Sequence, residues 1–174
     1  MITYRNRVSA IAKEKNYELK EDGIGDGQGR WKFDDINLVE LKYTPTRYYS
    51  GIYQCILHSY FGKEVISNRK YEGPANFKYQ NEEFRGFITE LHKQLSKVEG
   101  IEFKTGLSKA SFYSQLMAML LFMPLMVYVM VALGQMLLAA LITLILLVRL
   151  VPFFQKNRPG HYDPLNIPNQ LLPS

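Results

Sequence analysis

From Ala110 to Val148, 39 consecutive positions carry no charge, and Leu, Met, Val, Ile and Ala fill most of them. A single helix of that length would reach about 58 Å, nearly twice the ~30 Å hydrocarbon core of a bilayer. Two spans fit the pattern. The break falls at Leu133-Gly134-Gln135, where a helix-weakening residue stands beside a polar one. The pattern predicts transmembrane arms over 112–132 and 136–153, joined by a short turn. Pro124 is expected to kink the first arm, and Ala139-Ala140 gives the second a small-residue patch that another helix could approach.

Upstream, short alternations replace the long apolar run. Tyr17–Asp22, Arg30–Phe33, Ile36–Tyr43, Ile52–Phe61 and Glu64–Asn68 read as strands, with an irregular last one between Tyr71 and Tyr79. In Ile52–Phe61 the side chains of Tyr53, Cys55, Leu57 and Phe61 are expected on one face, with Gln54 and His58 on the other. Gly62-Lys63 would make the following turn. The density of rings (Tyr48, Tyr49, Tyr53, Tyr60, Phe61, Tyr71, Phe77, Tyr79) suits a compact barrel filled by aromatics. The period then changes: Phe84, Phe87, Ile88, Leu91, Leu95 and Val98 predict an amphipathic helix over 81–98. Asn81 would cap it, Glu82 and Glu83 suit the positive end of its dipole, and Gly100 would stop it. His92 is expected on its polar face beside Lys93.

The resulting division is a segment 1–16, a β domain 17–100, a linker 101–111, a hairpin 112–153 and a tail 154–174. In the first segment Tyr4, Val8 and Ile11 hint at a short basic amphipathic helix. The tail holds Pro159, Pro164, Pro168 and Pro173, which favour extended backbone. Its Tyr162, Leu165, Ile167, Leu171 and Leu172 are too apolar for a free linker. Tyr162, Ile167, Leu171 and Leu172 are therefore expected to dock, either on the chain's own barrel or on a partner.

The charge follows the same division. Residues 1–110 hold 18 basic and 15 acidic side chains, and the whole chain has a net charge of +5. Interspersed charge of this kind is a poor footprint for nucleic acid. Lys104 and Lys109 precede the first arm, and Arg149, Lys156 and Arg158 close the second, so the positive-inside rule puts both ends in the cytoplasm. Residues 1–20 lack the apolar run of a signal peptide, which agrees. Arg149 lies within one turn of the expected end of the second arm, where an arginine commonly snorkels to the headgroups rather than binding or relaying something.

Candidate chemistry is sparse. A single cysteine, Cys55, allows no intrachain disulfide and no Cys-based zinc cage. His58, His92 and His161 show no metal-ligand spacing and read as structural or solvated. Gly23-Ile24-Gly25-Asp26-Gly27-Gln28-Gly29 leads into a strand, not a helix N-terminus, so it reads as a hairpin loop rather than a phosphate cradle. Met119, Met123, Met126 and Met130 fall on one helical face. Thioethers can bind Cu(I), but no His or Cys accompanies them, and helix packing is the commoner use of such a face. No paired carboxylates or nucleophile–base pair stand out, so no catalytic, cofactor or metal residues are expected.

A bent antiparallel sheet of six or seven short strands closed by one C-terminal helix is the plan of a pleckstrin-homology-like (PH-like) barrel. Specific residues add to this. They are Trp31-x-Phe33-Asp34-Asp35-Ile36-x-x-Val39-x-Leu41-x-Tyr43-x-Pro45-x-Arg47, Ile66-Ser67-Asn68, and Phe84-x-x-Phe87-Ile88-x-x-Leu91-His92. The ending Asn157-Arg158-Pro159-Gly160-x-Tyr162-x-Pro164-x-x-Ile167-Pro168-x-x-Leu171-Leu172-Pro173 completes the set. Together they resemble an uncharacterised family of small bacterial inner-membrane proteins with a cytosolic PH-like domain, two transmembrane helices and a Pro-rich tail. The resemblance implies an α+β fold class, a small antiparallel PH-like β-barrel with a capping helix followed by a two-helix transmembrane hairpin. It brings no catalytic residues.

The expected function is a membrane-anchored, non-enzymatic binding or scaffold protein whose partner is another protein, a second copy or the membrane lipids, without nucleic acid or cofactor. Two alternatives stand beside it. One is an accessory or pore-forming subunit of a transport complex using the methionine face. The other is an anionic-lipid-binding module using Arg5, Arg7, Lys13, Lys15 and Arg47.

Overall fold

Residues 2–6 form a strand, β1 (Ile2–Asn6), and not the start of a helix. Tyr4 and Asn6 point into the protein while Thr3 and Arg5 face out, a period of two that overrides the weak helical spacing. Ile11, expected on the apolar face of that helix, is 97% exposed. The computed structural model describes residues 2–7, 9, 11–25, 29–45, 51–74 and 76–173. Val8, Arg47, Tyr48, Tyr49 and the middle of the glycine run (26–28) lie outside them. The chain divides into two units, a head of Met1–Thr105 with Gly160–Ser174, and a helical unit of Gly106–Pro159.

In the head, β1, β2 (Lys15–Lys20), β3 (Gly23–Gly25) and β4 (Arg30–Lys32) form an antiparallel meander in that order. A short 3-10 turn, Phe33–Asp35, leads to β5 (Ile36–Thr44), which pairs with β6 (Ile52–Ser59), itself paired with β7 (Gly62–Ser67). A separate ribbon, β8 (Arg69–Gly73) with β9 (Asn76–Tyr79), follows. The helix α1 (Asn81–Leu95) then buries Phe84, Phe87, Ile88, Leu91 and Leu95 against Tyr4, Tyr17, Val39, Leu41, Cys55, Leu57 and Ile66. It ends at Leu95, earlier than its pattern predicts, although Val98 still packs on the core. Gln80 is its N-cap. Asn81 instead turns its Oδ1 toward Asn68 Nδ2, 2.9 Å away.

The stretch read as a linker contains β10 (Glu102–Thr105), which lies parallel to β5 and adds to the main sheet. After the helical unit the chain returns as β11 (Gly160–His161), antiparallel to β10, so the sheet runs β11-β10-β5-β6-β7.

These sheets do not close into a barrel. The ladders stop at β7 on one side and β1 on the other, and side chains bridge the seam. Tyr4 Oη and Asn6 Nδ2 each donate to the Ser67 carbonyl at 2.6 Å, and Tyr17 Oη donates to Glu64 Oε1 at 2.5 Å. Side-chain donors thus take up edge groups that a neighbouring strand would otherwise pair. Asn68, fully buried, turns the corner out of β7. Its Oδ1 accepts from Tyr53 N at 2.8 Å and its Nδ2 donates to the Gly51 carbonyl at 3.2 Å.

The helical unit holds α2 (Lys109–Ala132) and α3 (Met136–Lys156), both long and apolar enough to cross a membrane. Ser108 Oγ caps α2 by accepting from Ser111 N at 3.2 Å. Leu133 is the C-cap of α2 and Gln135 the N-cap of α3. Gly134 between them sits at φ +75°, which glycine adopts without the Cβ clash other residues meet. At the open end of the hairpin the rings of Phe112 and Phe154 meet edge to face, 5.5 Å apart. The second arm is longer than its pattern predicts and runs through Pro152 to Lys156.

Candidate functional site

Among the described residues of the head, Tyr60 and Phe61 are the most exposed aromatic pair, at 83% and 86% exposure. Strand β6 ends at Ser59, which pairs with Gly62, so both rings occupy the β6–β7 turn. The expectation that Phe61 shares the buried face of Tyr53, Cys55 and Leu57 therefore fails: alternation ends where the strand does, two residues early. Ser59 Oγ accepts from Phe61 N at 3.2 Å and steadies the turn, and Lys63 beyond it is exposed. Beside the turn is a recess of about 500 Å³ lined by Asn37, Leu38, His58, Ser59, Gly100 and Glu102.

Farther along the same strands lies a charge cluster. Glu40 Oε2 lies 3.0 Å from both Lys42 Nζ and His58 Nε2. Partial burial works against the Glu40 carboxylate, but the hydrogen bonds from Lys42 and His58 outweigh it and keep its pKa below the ordinary value. Strand β10 runs along β5 from Leu38 to Leu41, and its last residue lies away from the turn. Thr105 pairs with both Leu41 and Gly160, whereas Ser59 pairs with Ile36. Five residues of β5 separate these positions, about 17 Å at the usual strand rise.

The basic residues expected to meet lipid have different surroundings where they are described. Arg5 is exposed on β1 opposite Asn16. Arg7 donates from Nε to the Ala12 carbonyl at 2.9 Å and lies over the Tyr71 ring. Lys15 grips both oxygens of Glu64, at 2.8 and 2.7 Å. Lys13 is exposed and, with Lys15, borders a recess of about 290 Å³ that Asn6, Tyr17 and Glu64 also line. Arg47 lies outside the described residues. Glu14 sits among the cations: its hydrogen bond from Lys70 (2.6 Å), helped by the charges of Arg5 and Arg7, holds its carboxyl below the usual range.

Met119, Met123, Met126 and Met130 are all half-buried, whereas Leu120, Leu121, Phe122, Leu125 and Val129 between them are exposed. The methionines thus run along the covered side of α2, where the neighbouring helix in the unit is α3. On α3 the covered positions include Ala139, Ile142, Thr143 and Leu146.

The tail lies on its own head. Leu171 and Leu172, at 3% and 6% exposure, belong to the same core as Phe87 and Leu91, and Tyr162 and Ile167 pack against it. His92, expected on the polar face of α1, is fully buried. Its Nδ1 is 2.8 Å from the Ile88 carbonyl and must donate there, so Nε2 accepts from Tyr162 Oη at 2.7 Å. Burial lowers the His92 pKa to about 4, against a smaller opposing effect of the Ile88 bond. Burial also pushes the Tyr162 hydroxyl and the Cys55 thiol up, so Cys55 is a core side chain and not a ready nucleophile. Among the described residues no group of three His, Cys, Asp or Glu is placed to hold a metal ion. No protein-family model, curated protein or solved structure matches this chain.

Sequence reasoning missed Tyr60 and Phe61 as surface residues. The available signal was Gly62 directly after them: the turn is Tyr60-Phe61, two residues earlier than Gly62-Lys63.

Proposed function

We propose that this chain is a membrane-anchored, non-enzymatic binding or scaffold protein of a bacterial inner membrane. In this reading α2 and α3 cross the bilayer with both termini in the cytoplasm, and a PH-like head offers the turn Tyr60-Phe61 to a protein partner. The exposed aromatic pair is the observation that carries the reading. Large rings left open to water are costly on a monomer and are the side chains that dominate protein interfaces. Their turn lies at the Ile36 end of β5, five residues along that strand from Leu41, where Thr105 ends β10. The anchoring rests on two apolar helices and on the basic residues Lys109, Arg149, Lys156 and Arg158, all on the open-end side of the uncharged turn.

The test places a photo-crosslinking amino acid at Phe61 in the full chain, in intact membranes, with Glu99 as an exposed control position. A discrete protein adduct at Phe61, absent at Glu99 and lost when Tyr60 is also changed to Ser, is the expected result. The adduct's mass separates a second copy of the chain from another protein. Adducts to lipid alone, or none, would overturn the proposal.

A further inference from the structure

The recess of about 290 Å³ in the head lies at the seam where the sheets fail to close. Strands β1 and β2 belong to one sheet and β7 to another, so side chains rather than a ladder line the space between them. Asn6 and Lys15 stand opposite each other in the β1–β2 register, and Tyr17 shares the face of Lys15 two residues on. Glu64 and Val65 of β7 form another part of the lining. Ala12 and Lys13, from the loop between β1 and β2, complete it.

One polar atom of this lining is left over. Asn6 is 2% exposed, and its Nδ2 donates to the Ser67 carbonyl at 2.6 Å. That bond fixes the amide orientation, since the opposite one would set two oxygens against each other. Asn6 Oδ1 is then a buried acceptor with no donor among the described residues. Such atoms are rare in folded proteins, because a buried acceptor without a donor is costly.

The charges beside it are unequally matched. Glu64 is occupied: Lys15 Nζ reaches its two oxygens at 2.8 and 2.7 Å, and Tyr17 Oη donates to Oε1 at 2.5 Å. Lys13 is exposed, and no acidic side chain among the described residues pairs with it. The recess thus combines an unmatched positive charge, an unmatched acceptor and the apolar surface of Ala12 and Val65.

We propose that this recess binds a small monocarboxylate that carries an N–H or O–H donor. The donor satisfies Asn6 Oδ1, the carboxylate pairs with Lys13, and the carbon skeleton lies on Ala12 and Val65. A cationic ligand would be repelled by Lys13, and a phosphate dianion would bring its second charge against Glu64. The volume holds about ten non-hydrogen atoms at ~30 Å³ for each water-sized group. An acylated amino acid and the C-terminal residue of a peptide share this chemistry. The site is independent of the membrane anchoring and of the Tyr60-Phe61 turn.

Fluorine NMR of the full chain in non-ionic detergent tests the site with N-trifluoroacetylglycine, which has both the carboxylate and the N–H. Its signal should broaden at millimolar concentration, with detergent alone as the blank. N-trifluoroacetylsarcosine keeps the charge but lacks the N–H. It should bind about threefold to tenfold more weakly, the scale of one hydrogen bond. Lys13→Glu should weaken N-trifluoroacetylglycine about tenfold, whereas Lys97→Glu, the same charge change just beyond α1, should not. Ala12→Leu fills part of the recess and should also weaken it. Lys13 is exposed, so its replacement leaves the core intact, and circular dichroism checks that each variant folds. A trifluoroacetylated tripeptide ending in glycine separates the two sources. Tighter binding than N-trifluoroacetylglycine assigns the site to a peptide end, and weaker binding assigns it to a free metabolite. No broadening with wild type, equal binding of the sarcosine analogue, or binding unchanged by Lys13→Glu overturns the site.

Discussion

Tyr162 Oη donates to His92 Nε2 across 2.7 Å, so residues 70 apart in the chain complete one hydrogen-bonded pair inside the head. With Phe103 they form a three-ring cluster with centroids 5.7 to 5.8 Å apart. Removing the hydroxyl leaves the buried imidazole nitrogen without its donor. Tyr162→Phe should therefore cost about 1–2 kcal/mol, read as a lower midpoint in chemical denaturation of the full chain in detergent. An unchanged midpoint would mean that the hydroxyl contributes nothing to holding the tail.

The same pair makes stability depend on pH in a defined direction. The folded His92 has a pKa of about 4, below the ordinary value near 6.5 expected of the unfolded chain. Between these values the unfolded state binds the extra proton, so stability is full above about pH 6.5 and declines as the pH falls toward 4. The full decline is on the order of 3 kcal/mol. Thermal midpoints measured across that window check it, with His92→Phe as the variant in which this part of the slope should vanish. Glu14 and Glu40, held below their ordinary values, contribute mainly at more acidic pH.

How far the sequence could be read depended on the reach of the contacts. The helix α1 and the break at Gly134 are local: a 3.6-residue period and a glycine beside a polar residue need no distant partner to be recognised. Strand β1 was hidden because its inward residues, Tyr4 and Asn6, find their acceptor at Ser67, over 60 positions away. Strand β10 is four residues long and pairs in parallel with β5, so nothing nearby announces it. His92 read as solvated because Tyr162 lies in another element. The end of β6 was missed by two residues, and that alone moved Phe61 from the expected core to the surface.

Asn68 replaces strand pairing with side-chain bonds at the corner between β7 and β8. It accepts from Tyr53 N and donates to Gly51 O and Asn81 Oδ1. Asn68→Ala removes three bonds at a site with no water access, and about 3 kcal/mol or more of stability should go with them. Asn68→Asp keeps an acceptor for Tyr53 but sets a buried carboxyl oxygen against the Gly51 carbonyl and Asn81 Oδ1, so it adds the cost of a buried acid to the two lost bonds. Equilibrium denaturation of the two variants should rank both well below wild type. A loss under about 1 kcal/mol for Ala would show the corner to be held by other contacts.

Gly106 opens the helical unit at φ +78°, and a Cβ there would meet the carbonyl oxygens of Asn157 and Arg158. Asn157 is buried, and its carbonyl accepts from Leu107 N at 3.0 Å, so this neighbour cannot move freely. Gly106→Ala combines a left-handed backbone with a steric clash and should lower the yield of folded protein and its thermal midpoint. Gly73→Ala is the control, since a Cβ there meets nothing nearby. Equal midpoints for the two variants would contradict the packing around Asn157.

The methionine face distinguishes packing from substrate handling. Met119, Met123, Met126 and Met130 lie on the covered side of α2, where leucine has nearly the same volume and the same apolar character. Changing all four to Leu should leave membrane insertion intact and shift stability by no more than about 1.5 kcal/mol per site, with partial cancellation between neighbours. A face that coordinates a soft metal cannot survive that change, because leucine offers no sulfur. Cu(I) titration of the wild-type chain and the quadruple variant therefore gives two separable results. Equal, weak responses leave the methionines as packing side chains. Strong binding by wild type alone would make the face a metal path and would revive the transport reading at the expense of the scaffold one.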